Sequence, residues 1–179
     1  MAMDHFLEEV VVKRNNTVNK IVYYFSWVVI VAFTLMASMA LGTLSTGFSW
    51  MTIVFILVTG GIAAYTFFFH DKLLTEYEYT FTNGALDFAE VYNNKKRKSL
   101  GSLNVRTVDA FGKVSSGSFQ RYLNMQGVKR MNWFLNRDAE LYYFFFSKDS
   151  VKKMIILEPS EEMVNNIQLY IPHGVYQVN

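Results

Sequence analysis

Four consecutive cations, Lys95, Lys96, Arg97 and Lys98, form the densest charged run in the chain. Ammonium and guanidinium groups gathered this way suit anionic lipid headgroups, where each contributes about 1 kcal/mol near the surface. A second chemistry fits the same run. Lysines on the edge of a sheet oppose edge-to-edge pairing, and a strand alternates its side chains, so only about half of such a run faces one way. Both readings stand at this point. Nucleic acid is set aside, because no aromatic residues interleave with the cations.

The remaining candidates carry less. His5, His70 and His173 fall in three separate segments with no second ligand at metal spacing. His70 closes an apolar run and is expected to snorkel to an interface, and His173 follows the last predicted helix, where a cation meets the negative end of the dipole. The chain has no cysteine, which excludes disulfides, thiolate metal sites, cysteine nucleophiles and lipidation through cysteine. There is no G-x-S-x-G, P-loop or H-E-x-x-H pattern. Residues 112–117 (GKVSSG) are rich in glycine and serine but lack the spacing of a phosphate loop, and are expected to form a mobile loop. No catalytic, cofactor-binding or metal-binding residue is assigned, no cofactor is expected, and the chain is expected not to be an enzyme.

The elements that must position the basic run begin with an anomaly of composition. Of 179 residues 51% are hydrophobic and 18% charged, against about a quarter charged in soluble domains. The shortfall is local, because residues 21–69 contain no Asp, Glu, Lys or Arg. Residues 21–41 and 50–69 are each long enough to cross a hydrocarbon core of about 30 Å at 1.5 Å per residue. The short uncharged link between them predicts an antiparallel hairpin. Ser38-Met39-Ala40 resembles a signal-peptide cleavage site, but the run is longer than a usual signal core and a second span follows. Tyr23, Tyr24, Trp27, Phe48, Trp50, Tyr65 and Phe67 to Phe69 sit where headgroup layers should be. Lys13, Arg14 and Lys20 precede the spans and Lys72 follows them, while the link has no cation. The positive-inside rule then predicts a multi-pass protein of the cell membrane with both ends cytoplasmic.

Small residues recur in the spans. Ser38 with Gly42, and Gly60 with Ala64, have the small-xxx-small spacing that lets helices approach closely. They are candidate helix-packing positions, first for the hairpin itself and second for an oligomer. The spans hold no ionisable group, which argues against a single-chain transporter. Ahead of them, residues 1–20 read as an amphipathic segment. Phe6, Leu7, Val10 and Val11 line one stripe of a predicted helix over residues 4–13, capped by Asp4.

Residues 71–179 read as an α+β soluble domain, near charge balance with 14 Lys and Arg after residue 70 against 12 Asp and Glu. Alternation predicts strands over 76–82, 85–91, 95–100, 103–108, 130–135, 140–147 and 152–158, with Asn83-Gly84 as a hairpin turn. Residues 110–130 are expected to be an irregular loop with a short helix near 120–124. Ser160 caps a final helix whose apolar face is Met163, Val164, Ile167, Tyr170 and Ile171, with Glu161 and Glu162 in its first turn. About seven antiparallel strands and a C-terminal helix suggest a curled sheet or small barrel of PH-like architecture.

The run 77–87 (YEYTFTNGALD), the basic residues 95–98 and the ending 158–163 (EPSEEM) with Tyr170-Ile171-Pro172 resemble a bacterial family of small two-span membrane proteins with a YcxB-like, PH-like C-terminal domain. The resemblance covers nearly the whole chain. It implies a fold and a topology, and it brings no established activity and no catalytic residues. The expected function is a membrane-anchored PH-like binding or scaffold module. Its expected partners are the bilayer, anionic headgroups of the inner leaflet, and a protein partner or further copies of itself. The alternatives are a subunit of an oligomeric complex assembled through the hairpin and, with location as its only support, a membrane-bound enzyme.

Overall fold

The computed structural model describes residues 5–177. The chain divides into two compact units, one of residues 15–75 and one that joins the residues up to Arg14 to those from Glu76 onward.

The first unit is a helical hairpin. α1 (Thr17–Thr43) and α2 (Trp50–Phe69) are followed by a 3-10 turn (His70–Leu74). Both helices are long and apolar enough to cross a membrane, and only 6% and 11% of their apolar windows are buried. A core helix of a soluble protein hides its apolar residues; these helices display theirs. At the link, the Ser45 and Thr46 hydroxyls donate to the carbonyls of Gly42 and Thr43 at 2.7 and 2.8 Å, occupying acceptors that the helix end leaves open.

The buried positions of the hairpin are Ser26, Thr59 and Ala63. The two hydroxyls are satisfied along their own helices, Ser26 at Tyr23 O (2.6 Å) and Thr59 at Phe55 O (2.7 Å). Ser38, Gly42 and Ala64 are exposed, and a Cβ placed on Gly42 or Gly60 would meet nothing within 4 Å. His70 departs from expectation. It is buried rather than snorkelling. Its ring stacks on Tyr23 at 5.3 Å and meets the edge of Trp27 at 5.0 Å, and its Nδ1 lies 2.7 Å from the Phe67 carbonyl.

The second unit opens with a correction. Residues 6–11 form a strand, not a helix. β1 (Phe6–Val11) pairs antiparallel with β2 (Thr75–Thr82), from Phe6 opposite Thr82 to Val11 opposite Tyr77. Alternation turns Leu7, Glu9 and Val11 inward and Phe6, Glu8 and Val10 outward. The three consecutive valines suit a pleated surface better than a helix. Asp4, the expected cap, lies outside the described residues. The hairpin of the first unit is therefore an insertion between two strands that are direct neighbours.

β3 (Ala85–Tyr92) and β4 (Lys96–Asn104) complete a four-stranded sheet in the order β1-β2-β3-β4. Asn83 and Gly84 turn between β2 and β3 with φ of 50° and 94°, as a two-residue hairpin requires. The two strands expected over 95–100 and 103–108 are one strand, carried through a register shift at Gly101, whose φ is 138°. Residues 105–107 form a 3-10 turn.

The second sheet has the order β6-β8-β7-β5-β9. It comprises β5 (Ala110–Lys113), β6 (Lys129–Trp133), β7 (Tyr142–Lys148), β8 (Val151–Leu157) and β9 (Tyr176–Gln177). The described residues thus hold nine strands rather than about seven. The two sheets do not close into a barrel, and not every pairing is antiparallel: β6 runs parallel to β8, and β5 to β9. Residues 110–113, expected to be loop, lie between β7 and β9. Gly112 is needed there, because a Cβ would stand 2.7 Å from the Gln177 carbonyl oxygen. α3 (Gly117–Leu123) is the expected short helix, begun earlier.

Two cores hold the unit together. Tyr79, Phe81, Leu86, Phe88, Phe111 and Phe144 pack with Met163 and Ile167 of α4 (Glu161–Gln168). Ala110, Tyr143, Phe145 and Met154 pack beneath Phe119 and Tyr122 of α3. Each fully buried large side chain contributes about 1.5–3 kcal/mol. Ser160 caps α4 as expected, its Oγ accepting from the Met163 N–H at 3.2 Å.

β1 is tied to the second sheet by polar groups. Asn136 is buried; its Oδ1 accepts from the Arg14 N–H (2.8 Å), and its Nδ2 donates to Val12 O (3.0 Å) and to Glu158 Oε1 (2.8 Å). The Glu9 carboxylate accepts from the Ser160 N–H at 2.8 and 2.9 Å, and burial holds that carboxyl above its ordinary value.

Candidate membrane-contact site

Antiparallel pairing decides what shares an end of the four-stranded sheet. The chain leaves β1 at Val11, opposite Tyr77, and β2 begins at Thr75. β3 returns beside β2 and finishes at Tyr92, opposite Lys96. The end through which both connections to the hairpin pass is therefore the end that bears residues 93–98.

Asn93 and Asn94 make the turn there with φ of 50° and 53°, and the Lys95 N–H closes it onto Tyr92 O at 3.0 Å. Asparagine tolerates this left-handed backbone better than most residues. Lys95, Lys96, Arg97 and Lys98 are all exposed, and β4 is an edge strand.

The four cations do not form one face. Lys96 and Lys98 share a face with Glu90 and Tyr92 through their register, and Arg97 points the other way, opposite Val91. Arg97 Nη2 lies 2.7 Å from Glu78 Oε2, and Lys98 Nζ lies 3.8 Å from Glu90 Oε2. Arg97 and Lys98 are thus partly compensated. The Tyr92 hydroxyl donates to Glu90 Oε2 at 2.7 Å. Burial, and then the Glu90 carboxylate that accepts its proton, push the Tyr92 phenol up to about 12; burial followed by the same carboxylate lifts Tyr77. The end therefore offers exposed cations around a rim of neutral phenols, an arrangement suited to an anionic surface.

Alternation in residues 76–82 and 85–91 already placed Glu78 and Glu90 on strands, but pairing each with its cation needed the register. The three histidines stay apart: His5 packs edge-on to Tyr170 at 5.8 Å, His70 lies in the hairpin unit, and His173 is exposed beyond α4. Among the described residues no group of three His, Cys, Asp or Glu is placed to hold a metal ion.

A family model described as a bacterial PH-like domain (DUF6106) matches residues 3–177. No curated protein matches the chain, and no solved structure matches it.

Proposed function

The chain belongs to this bacterial PH-like domain family, and from that premise we propose that it is a membrane-anchored binding module rather than an enzyme. The hairpin spans the bilayer, and the PH-like domain works at the cytoplasmic face, docking on anionic headgroups of the inner leaflet. The observation that carries this reading is the shared sheet end: both connections to the apolar hairpin leave the domain where Lys95, Lys96, Arg97 and Lys98 stand. Two spans return the chain to the side it left, which pairing of β1 with β2 demands. Lys13, Arg14, Lys20 and Lys72 flank the spans while the link carries no charge, which supports the cytoplasmic side.

The absence of cysteine makes the topology simple to test. In intact cells an impermeant thiol reagent should label Ser45→Cys and spare Ser116→Cys. The reverse pattern would overturn the orientation, and labelling of both would overturn the hairpin. For the docking, the full chain in anionic vesicles should show slower amine acylation at Lys95 and Lys96 than in neutral vesicles. Equal rates would remove the leaflet from the reading and leave a protein as the partner.

A second reading, an oligomer assembled through the hairpin, is favoured by one observation. Ser38, Gly42 and Ala64 are exposed, and space stays open at the Gly42 and Gly60 Cβ positions. Crosslinking in native membranes should then give discrete higher species that Gly60→Leu removes.

A further inference from the structure

We infer that the domain meets the leaflet at a second place, the corner where β6 and β8 begin, an inference that rests on the membrane-anchored reading above. This corner is not visible as a run in the sequence. Parallel pairing sets Lys129 directly beside Lys153. The β7–β8 hairpin adds Lys148 opposite Val151 on the face of Lys129 and the half-buried Lys153, while Lys152, opposite Ser147, points from the other face. Arg130 follows Lys129, its guanidinium donating to Leu123 O at 2.5 Å.

Two like charges side by side on a sheet are destabilising. Among the described residues none of Lys129, Lys148, Lys152 or Lys153 lies within ion-pair distance of a carboxylate. The acids nearest in the pairing pattern are Asp149, in the turn, and Asp109, which accepts from the Ser147 hydroxyl at 3.3 Å. The contrast with the run at 95–98 is direct. There, Arg97 and Lys98 have Glu78 and Glu90; here, the charge is left for something outside the chain.

The corner also exposes an apolar side chain among its cations, Val151 at 42%. A hydrophobic tip flanked by lysines suits a headgroup layer, where the cations meet phosphates and the apolar group meets the acyl boundary. A chain that is anchored in the bilayer has an anionic leaflet always at hand, at an effective concentration that no free partner matches. The corner lies at the other end of β6 and β8 from Asn136 and Glu158, which hold Val12 and Arg14 where the chain leaves for the hairpin, so contact there as well as at residues 93–98 would lay the second sheet along the leaflet and fix the tilt of the domain.

The test is amide hydrogen exchange on the full chain in nanodiscs, with anionic and with neutral lipid. Exchange should slow at residues 129–131 and 148–153 in anionic discs only, and the effect should weaken with salt. Lys129→Gln, Lys152→Gln and Lys153→Gln together should abolish it, each removal lowering the docked population about fivefold. The corresponding Lys→Arg variants should preserve it, which separates lost charge from a damaged fold. Slowing at residues 93–98 alone would overturn this inference and leave the first contact standing. No difference between the two lipids anywhere would overturn both. Slowing at the corner that appears only on adding nucleic acid or an acidic protein would give the corner a different partner and overturn the lipid assignment.

Discussion

The hairpin and the PH-like unit use the same apolar residue types in opposite ways. Phe55, Leu57, Phe67 and Phe68 stand exposed on α2, while Phe81, Phe88, Phe111 and Phe144 are almost completely hidden between sheet and helix. In the hairpin an apolar side chain reports its solvent, so its identity is interchangeable among hydrophobes. In the sheets it reports its neighbours, so its volume is fixed by close packing. The hairpin satisfies backbone polar groups within each helix, which is what crossing a bilayer would require; the sheets satisfy theirs across strands far apart in sequence.

The largest effect that tests this contrast is truncation of a core ring. Phe144→Ala should cost about 3–5 kcal/mol and lower the denaturant midpoint of the PH-like unit, whereas Leu57→Ala should leave that midpoint within about 0.5 kcal/mol. Equal losses would mean that the exposed face of α2 is packed against protein. Asn136→Ala comes next. It strands the Val12 carbonyl, the Arg14 N–H and part of the Glu158 carboxylate, at about 1–3 kcal/mol, and exchange at the β1 amides should quicken more than at β7. A uniform loss across both strands would show that β1 does not depend on this clasp. Ser160→Ala removes the α4 cap at about 1 kcal/mol, and Ser160→Thr should restore it.

The smallest effect concerns pH. Burial raises the Glu9 carboxyl in the folded state, so its contribution favours folding below the ordinary value of 4.5 and is lost as pH rises through the raised value. Compared at pH 4 and pH 7, Glu9→Gln should therefore gain on the wild type as pH rises. A variant that loses ground instead would make the carboxylate's bonds to the Ser160 N–H outweigh its burial.

The same contrast explains what could be read from the sequence. The spans, the Asn83-Gly84 turn and the Ser160 cap each depend on residues within a few positions of one another, so their signals are local. The β1 strand was misread because its alternation is only six residues long and its partner lies on the far side of the hairpin. β5 was missed because it has four residues, one a glycine required by the Gln177 backbone. The run at 95–98 was legible as charge, but its partial neutralisation was not, because Glu78 sits two strands away. The corner of Lys129 and Lys153 has no local signal at all, since a parallel pairing assembles it.

Placing a hairpin inside a strand pair also sets an order of events. β1 leaves the ribosome first, and its partner follows only after residues 12–74 have been made, on the order of several seconds later at ordinary synthesis rates. Until then β1 is an unpaired strand with no sheet to join. If the hairpin spans the bilayer as proposed, pairing becomes available only when both helices have crossed and brought β2 back to the side where β1 waits. A chain with one helix inserted would hold its first strand and the rest of its sheet on opposite sides of the membrane, leaving β2 as a bare edge. On the proposed topology the sheet would therefore close only on chains in which both helices had crossed.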